Sequence, residues 1–215
     1  MVVGVVGGSG GVGSSSFAAA LAARAAADYD LSVLIDLDTA RGGIDVLLGA
    51  EHEPGARWSG LRLAGGHLDP QALVRGLPSW NGVAVLAADA DSVTGADAVG
   101  QVIGVAVEAG PVVVDLTRWG DAARDAAVGL CDLVVMVVRP DVAGITGARA
   151  VAAGLAAPLG LLVRGRQAGG IADLVGARML GRLPRLGRWI DRPVEPSRRI
   201  RQVAAGVLDA VAVAA

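Results

Sequence analysis

Gly7-Gly8-Ser9-Gly10-Gly11-Val12-Gly13-Ser14-Ser15-Ser16 follows the apolar run at residues 2–6 and leads into the alanine-rich stretch 16–27. A short buried strand, a glycine turn and a run of strong helix formers, in that order, build an anion site. Glycine lets a phosphate approach the backbone, the N–H groups of the turn face inward, and the dipole of the following helix adds positive potential. Ser9, Gly10, Gly11, Val12, Gly13, Ser14, Ser15 and Ser16 are therefore the candidate nucleotide-binding residues. Two kinds of nucleotide protein compete for this loop. Gly8, Gly10 and Gly13 match the GxGxxG dinucleotide fingerprint, and Asp36 stands where a ribose-binding acid belongs, which suits an NAD(P)-dependent oxidoreductase. A phosphate loop for a nucleoside triphosphate is the other reading. Three consecutive serines open the helix, and a hydroxyl there can ligate Mg²⁺.

Outward from the loop, apolar runs alternate with helix-like stretches. That is the pattern of an α/β fold, a three-layer, mostly parallel sheet with helices on both faces. Strands are expected at 2–6, 32–36, 83–87, 111–115, 132–138 and 159–163. Helices are expected at 16–27, 96–108, 122–130, 144–156, 171–180 and 198–212, with an arginine-rich loop at 187–196. Residues 49–81, with Pro54, Pro70, Pro78 and scattered glycines, read as short helices and loops. No repeat or linker interrupts the pattern, so residues 1–215 read as one domain.

Composition supports a packed core rather than disorder, since 53% of residues are apolar and the formal net charge is only −2. Aromatics are 3%, so the core is built from small aliphatic side chains. All 19 basic residues are arginine. They are unevenly spread: residues 1–163 hold 9 against 17 acids, and residues 164–215 hold 10 against 4. The basic C-terminal third suits a solvated face, with DNA or an anionic membrane as less favoured partners. The lone Cys131 precludes an internal disulfide and reads as a buried structural thiol in a reducing, cytoplasmic setting. The uncharged start lacks a basic n-region, and no run is long enough for a transmembrane helix.

The segment that separates the two loop readings lies downstream. Val33-Leu34-Ile35-Asp36-Leu37-Asp38-Thr39-Ala40-Arg41-Gly42-Gly43-Ile44-Asp45-Val46-Leu47-Leu48-Gly49 resembles the second strand and switch I of the MinD/ParA family of P-loop ATPases. Val112-Val113-Val114-Asp115-Leu116-Thr117 looks like that family's Walker B strand, and the run 132–141 like the strand that follows it. Within the family, the pattern is most similar to the actinobacterial CpaE-like, septum-site-determining branch, related to TadZ of pilus systems. Members of that branch often carry an N-terminal receiver-like domain, so the chain reads as a short homologue or as a domain excised from a longer one.

The resemblance implies roles. Asp38 would orient the attacking water, Ser15 would ligate Mg²⁺, Asp115 would hold it through a water, and Asp36 would be structural. The family's loop also carries two lysines, one before the paired glycines and one after the last glycine. Here those positions are Ser9 and Ser14, and the chain has no lysine at all. Arg41 is the candidate replacement cation. A charge-assisted hydrogen bond contributes roughly 1.5–3 kcal/mol against about 1 for a neutral one, so triphosphate binding should weaken by roughly one to two decades. Hydrolysis should suffer more, because phosphoryl transfer rests on charge stabilisation. Where the family often has an adenine-reading Asn after the sixth strand, this chain has Arg164-Gly165-Arg166, and backbone contacts near Leu183 and Pro184 are the alternative base site. The implied function is a nucleotide-dependent homodimer binding ATP or ADP with Mg²⁺, at most a slow ATPase. It would act as a localisation or regulatory factor in septum placement or pilus assembly, cytoplasmic and brought to the membrane or pole through protein partners. An oxidoreductase and a nucleotide-free interaction module are the alternatives. The former is disfavoured, since only His52 and His67 exist and no catalytic His/Lys/Tyr group is evident.

Overall fold

The computed structural model describes residues 1–39, 42–61, 69–89, 95–165, 169–184 and 197–213. Strands β1 (Val2–Gly7), β2 (Ser32–Asp36), β4 (Val83–Leu86), β5 (Val112–Asp115), β6 (Leu133–Val138), β7 (Leu159–Arg164) and β8 (Arg178–Leu183) run parallel, and β3 (Ser79–Trp80) is antiparallel at one edge. The order across the sheet is β3-β4-β2-β5-β1-β6-β7-β8. The interior strands are apolar between their ends because both of their faces are covered. In β1, Val3 and Val5 pack under α1 (Ser14–Tyr29) and α8 (Arg198–Ala212), while Val2 and Val6 face the opposite core. That second core includes Val99, Val102 and Ile103 of α4 (Ala96–Ala109) and Ala123 and Ala127 of α5 (Ala122–Gly129). The expected three-layer α/β architecture is the one observed.

Most expected elements stand within a few residues of their predicted bounds. One is wrong: 171–180 is not a single helix. α7 (Ile171–Val175) stops at Gly176, whose φ of 76° is left-handed, and the chain turns into β8. Arg178, Met179 and Leu180 are good helix formers, but pairing with β7 overrides that weak preference. The register slips between Leu161 and Leu162, where Leu180 bulges to cover Gly160 and leaves no room for a side chain there. The helix expected at 144–156 is α6 (Val142–Ala152), set earlier by Asp141, which caps it by accepting from the Gly144 N–H at 2.6 Å.

Residues 49–81 hold more order than expected. Asp69 caps α3 (Pro70–Gly76), and β3 turns back onto β4 through Asn81 and Gly82, both at positive φ (49° and 78°). Asn-Gly is the usual signal of such a hairpin and was there to be read. Among the described residues no helix is long and apolar enough to cross a membrane. The loop at 187–196 lies outside the described residues. Cys131 is buried against Gly4 as expected, and burial pushes its thiol up to about 12, which leaves it unreactive.

Candidate nucleotide-binding site

β1 sits between β5 and β6, so the loop that follows it emerges in the middle of the sheet's carboxyl edge. Gly8 N–H donates to Val137 O at 2.9 Å, and the Gly13 carbonyl receives the Phe17 N–H at 3.0 Å to open α1. Gly11 (φ 66°) and Gly13 (φ 90°) both lie in the left-handed region, which a side chain would strain. Gly13 is the N-cap of α1 and no side chain caps the helix, so its first N–H groups stay available at the cleft. Behind the loop, Gly8 packs on Ala148 of α6, which fixes the turn from below.

The loop opens on a cleft of about 300 Å³ lined by Gly11, Gly13, Ser14, Ser15, Ser16 and, facing them, Asp36, Asp38 and Asp115. The two strands that carry these acids are in register, Asp36 opposite Asp115, so β2 and β5 deliver both carboxylates to one edge. Five expected loop residues thus meet two expected acids. Ser9, Gly10 and Val12 do not line the cleft. Val12 turns into the core, 1% exposed, and the Ser9 Oγ is buried with no hydrogen-bond partner among the described residues. Arg41 lies outside the described residues.

Asp36 is placed as a clamp rather than a ligand. Its carboxylate is 2% exposed and accepts the backbone N–H groups of Asp38 (2.9 Å), Ile44 (2.8 Å) and Ala88 (3.3 Å). Trp58 Nε1 donates to its carbonyl at 2.7 Å. Burial pushes its pKa up to about 6, against the pull of those three hydrogen bonds. A ribose has no access to such a group. The sheet order also parts from the dinucleotide fold, in which the first two strands are neighbours, since β5 separates β1 from β2 here. The oxidoreductase reading of Gly8, Gly10, Gly13 and Asp36 is therefore withdrawn.

Two arginines brace this region: Arg57 was no part of the expected site, and Arg164 was expected only where the family reads its base. Arg57 donates to the carbonyls of Ala50, Glu51, Glu53 and Gly55 and pairs with the Asp45 carboxylate at 3.1 Å, tying down the segment after α2 (Ile44–Leu48). Arg164, at the end of β7, donates to the Val12 and Gly11 carbonyls at 3.0 and 3.4 Å. No local pattern marks the bracing role of Arg164, because its partners lie 152 and 153 residues away. These bonds tie the end of β7 to the carbonyl groups of the phosphate loop. Arg164→Gln should weaken Mg-ADP binding about three- to tenfold, on the scale of one charge-assisted hydrogen bond exchanged for a neutral one, as read by calorimetric titration. An unchanged affinity would remove Arg164 from the site.

The donor set fits a magnesium-bound phosphate. Hard oxygens come from the Ser15 hydroxyl and from Asp38 and Asp115, and uncapped amides face the same space. It lacks the lysine that would otherwise meet the phosphate charge.

Sheet order, loop conformation and the acids on β2 and β5 together define a P-loop nucleotide-binding fold of the MinD/ParA type. Comparison with solved structures agrees. The ParA family ATPase of Chlorobium tepidum superposes with a TM-score of 0.74 at 17% identity, covering 97% of this chain and 90% of that one. The MinD cell division protein of Aquifex aeolicus gives 0.71 at 20% identity, covering 97% and 96%. The septum site-determining protein MinD of Pyrococcus horikoshii, complexed with Mg-ADP, gives 0.67 at 14% identity, covering 100% and 98%. In sequence, the chain is 41% identical over 208 residues to the uncharacterized proteins Rv3660c and MT3760 of two Mycobacterium tuberculosis strains, a match covering 88% of this chain. The chain spans 57% of the length of those relatives. No family model matches.

Proposed function

We propose that this chain is a MinD/ParA-type nucleotide-binding protein that holds ADP or ATP with Mg²⁺ at the cleft, hydrolysing slowly or not at all. The observation that carries the reading is the left-handed Gly11–Gly13 turn opening on an uncapped α1, with Ser15, Asp38 and Asp115 across the same cleft. Backbone amides of the turn would bind the phosphates, Ser14 and Ser16 adding neutral hydrogen bonds. Bound Mg²⁺ would supply the charge neutralisation that the chain's missing lysines do not. Ser15 would hold it directly and Asp115 through a water. Asp38, half-buried at the mouth of the cleft, would orient an attacking water. The Mg-ADP complex of the Pyrococcus MinD, a protein of the same fold, supports the choice of ligand.

The cleft's acids make a sharp expectation. Two carboxylates, Asp38 and Asp115, face the phosphate site without a lysine, so nucleotide without a divalent cation should meet net repulsion. Millimolar Mg-ADP should raise the melting temperature by several degrees, and ADP with excess EDTA should leave it unchanged. No shift with either would overturn the nucleotide reading. ATP turnover is expected far below the roughly 10 s⁻¹ of ordinary enzymes. Turnover at that level would overturn the proposal of weak hydrolysis.

At the level of the cell, the same reading makes the chain a localisation or regulatory factor of the CpaE-like, septum-site-determining branch. It would dimerise with nucleotide and engage protein partners of a division or pilus machine from the cytoplasm. The MinD and ParA fold relatives support that class of role. Sedimentation with and without Mg-ATP tests the dimer, and a monomer under both conditions would sink it.

A further inference from the structure

Arg164 also lines a second, larger cleft of about 1300 Å³, at the carboxyl ends of β6, β7 and β8. Four arginines reach it from four different elements: Arg139 just after β6, Arg164 closing β7, Arg182 in β8 and Arg199 in the first turn of α8. Asp141 is the one acid among its described lining residues. That carboxylate already caps α6 and lies 3.3 Å from Arg139 Nε, so it offsets at most one of the four charges. Arg182 and Arg199 make no ion pair with another described residue.

Cations converging on a concavity repel one another and raise its potential, which an anionic ligand relieves. Guanidinium groups match phosphate oxygens in a two-pronged fit. The arginines enter from separate elements around a hollow that Leu180, Leu183 and Val203 wall with apolar surface. That arrangement suits a small ligand with a flat ring and a phosphate better than a nucleic-acid backbone, which is met by a row of cations on an open face.

Arg164 joins the two clefts. It lines the larger one and donates to the carbonyls of the loop that forms the smaller one. A nucleotide whose 5′-phosphates lie on the loop and whose ribose lies beside Arg164 would turn its 3′ oxygen toward the larger cleft. We infer that Arg182 and Arg199 bind a second phosphate carried on the ribose, so that the chain selects a nucleotide phosphorylated at both the 5′ and the 3′ position. The inference rests on the phosphate-loop reading above.

Titration calorimetry in Mg²⁺ compares ADP with adenosine 3′-phosphate 5′-diphosphate, on the wild-type chain and on Arg182→Gln/Arg199→Gln. The extra phosphate should tighten binding to wild type about tenfold or more, the worth of one charge-assisted pair. The double variant should lose that advantage and keep its ADP affinity, which also shows it folded. Equal affinities in wild type, or an advantage that survives in the double variant, overturns this inference alone. Failure of both nucleotides to bind overturns the phosphate-loop reading and this inference with it. If the 3′-phosphate adds nothing while a short DNA duplex binds wild type and not the double variant, the arginines serve nucleic acid, and the inference is likewise overturned.

Discussion

Ser14→Lys is expected to tighten Mg-ADP binding about three- to thirtyfold, the difference between a neutral hydrogen bond and a charge-assisted one in a partly enclosed site. Ser14 is the first residue of α1 and lines the cleft, so a longer side chain starting there has the cleft ahead of it. The helix dipole opposes a cation at this end, but by only about 0.3–1 kcal/mol. The ammonium would be set beside Asp38 and Asp115, which favours it even before ligand binds. Ser14→Met is the control for length without charge, and it should leave affinity unchanged or slightly reduced. Ser9→Lys should not reproduce the gain within one chain, because Ser9 does not line the cleft and its Oγ is buried. If Ser14→Lys binds Mg-ADP no more tightly than Ser14→Met, phosphates do not lie against the start of α1.

How much of this could be read beforehand depended on whether the signal was local. The glycine loop, the strand-ending acids and the alternation of apolar runs with helix formers are local signals, and they led to the right sheet and to the edge on which the loop and the acids meet. What failed was long-range. Residues 178–180 look helical in isolation and become part of a strand only because β7 offers a free edge. Arg164 looked like a misplaced base reader and proves to brace the loop, through contacts that cross most of the chain. Asp36 fitted both nucleotide readings from its position alone. Only the direction of its carboxylate, into three backbone N–H groups rather than toward the cleft's opening, separates a clamp from a ribose ligand.

Asp36→Ala should lower stability at neutral pH by about 2–4 kcal/mol, a loss readable as a lower denaturation midpoint. The carboxylate joins three segments: Asp38 follows β2, Ile44 begins α2 and Ala88 follows β4. Alanine leaves three N–H donors without their acceptor, two of them buried, and the relief from removing a buried charge offsets only part of that cost. The pH dependence gives a second, independent reading. Burial pushes the Asp36 pKa from 3.8 up to about 6 in the folded chain, so between those values the native state holds a proton that the unfolded state has lost. This group's contribution to stability therefore grows as pH falls through 6, and is smallest above it. Other carboxylates can mask the trend in wild type alone, so the quantity to follow is the stability difference between wild type and Asp36→Ala. That difference should widen by about 1–2 kcal/mol between pH 7.5 and pH 5. A difference that stays constant over the range would mean that Asp36 titrates normally and is not held in the buried clamp. Nucleotide binding carries the same signature. The Asp38 and Ile44 contacts position the segment that faces the phosphate loop, so Asp36→Ala should also weaken Mg-ADP binding at temperatures where the variant is still folded.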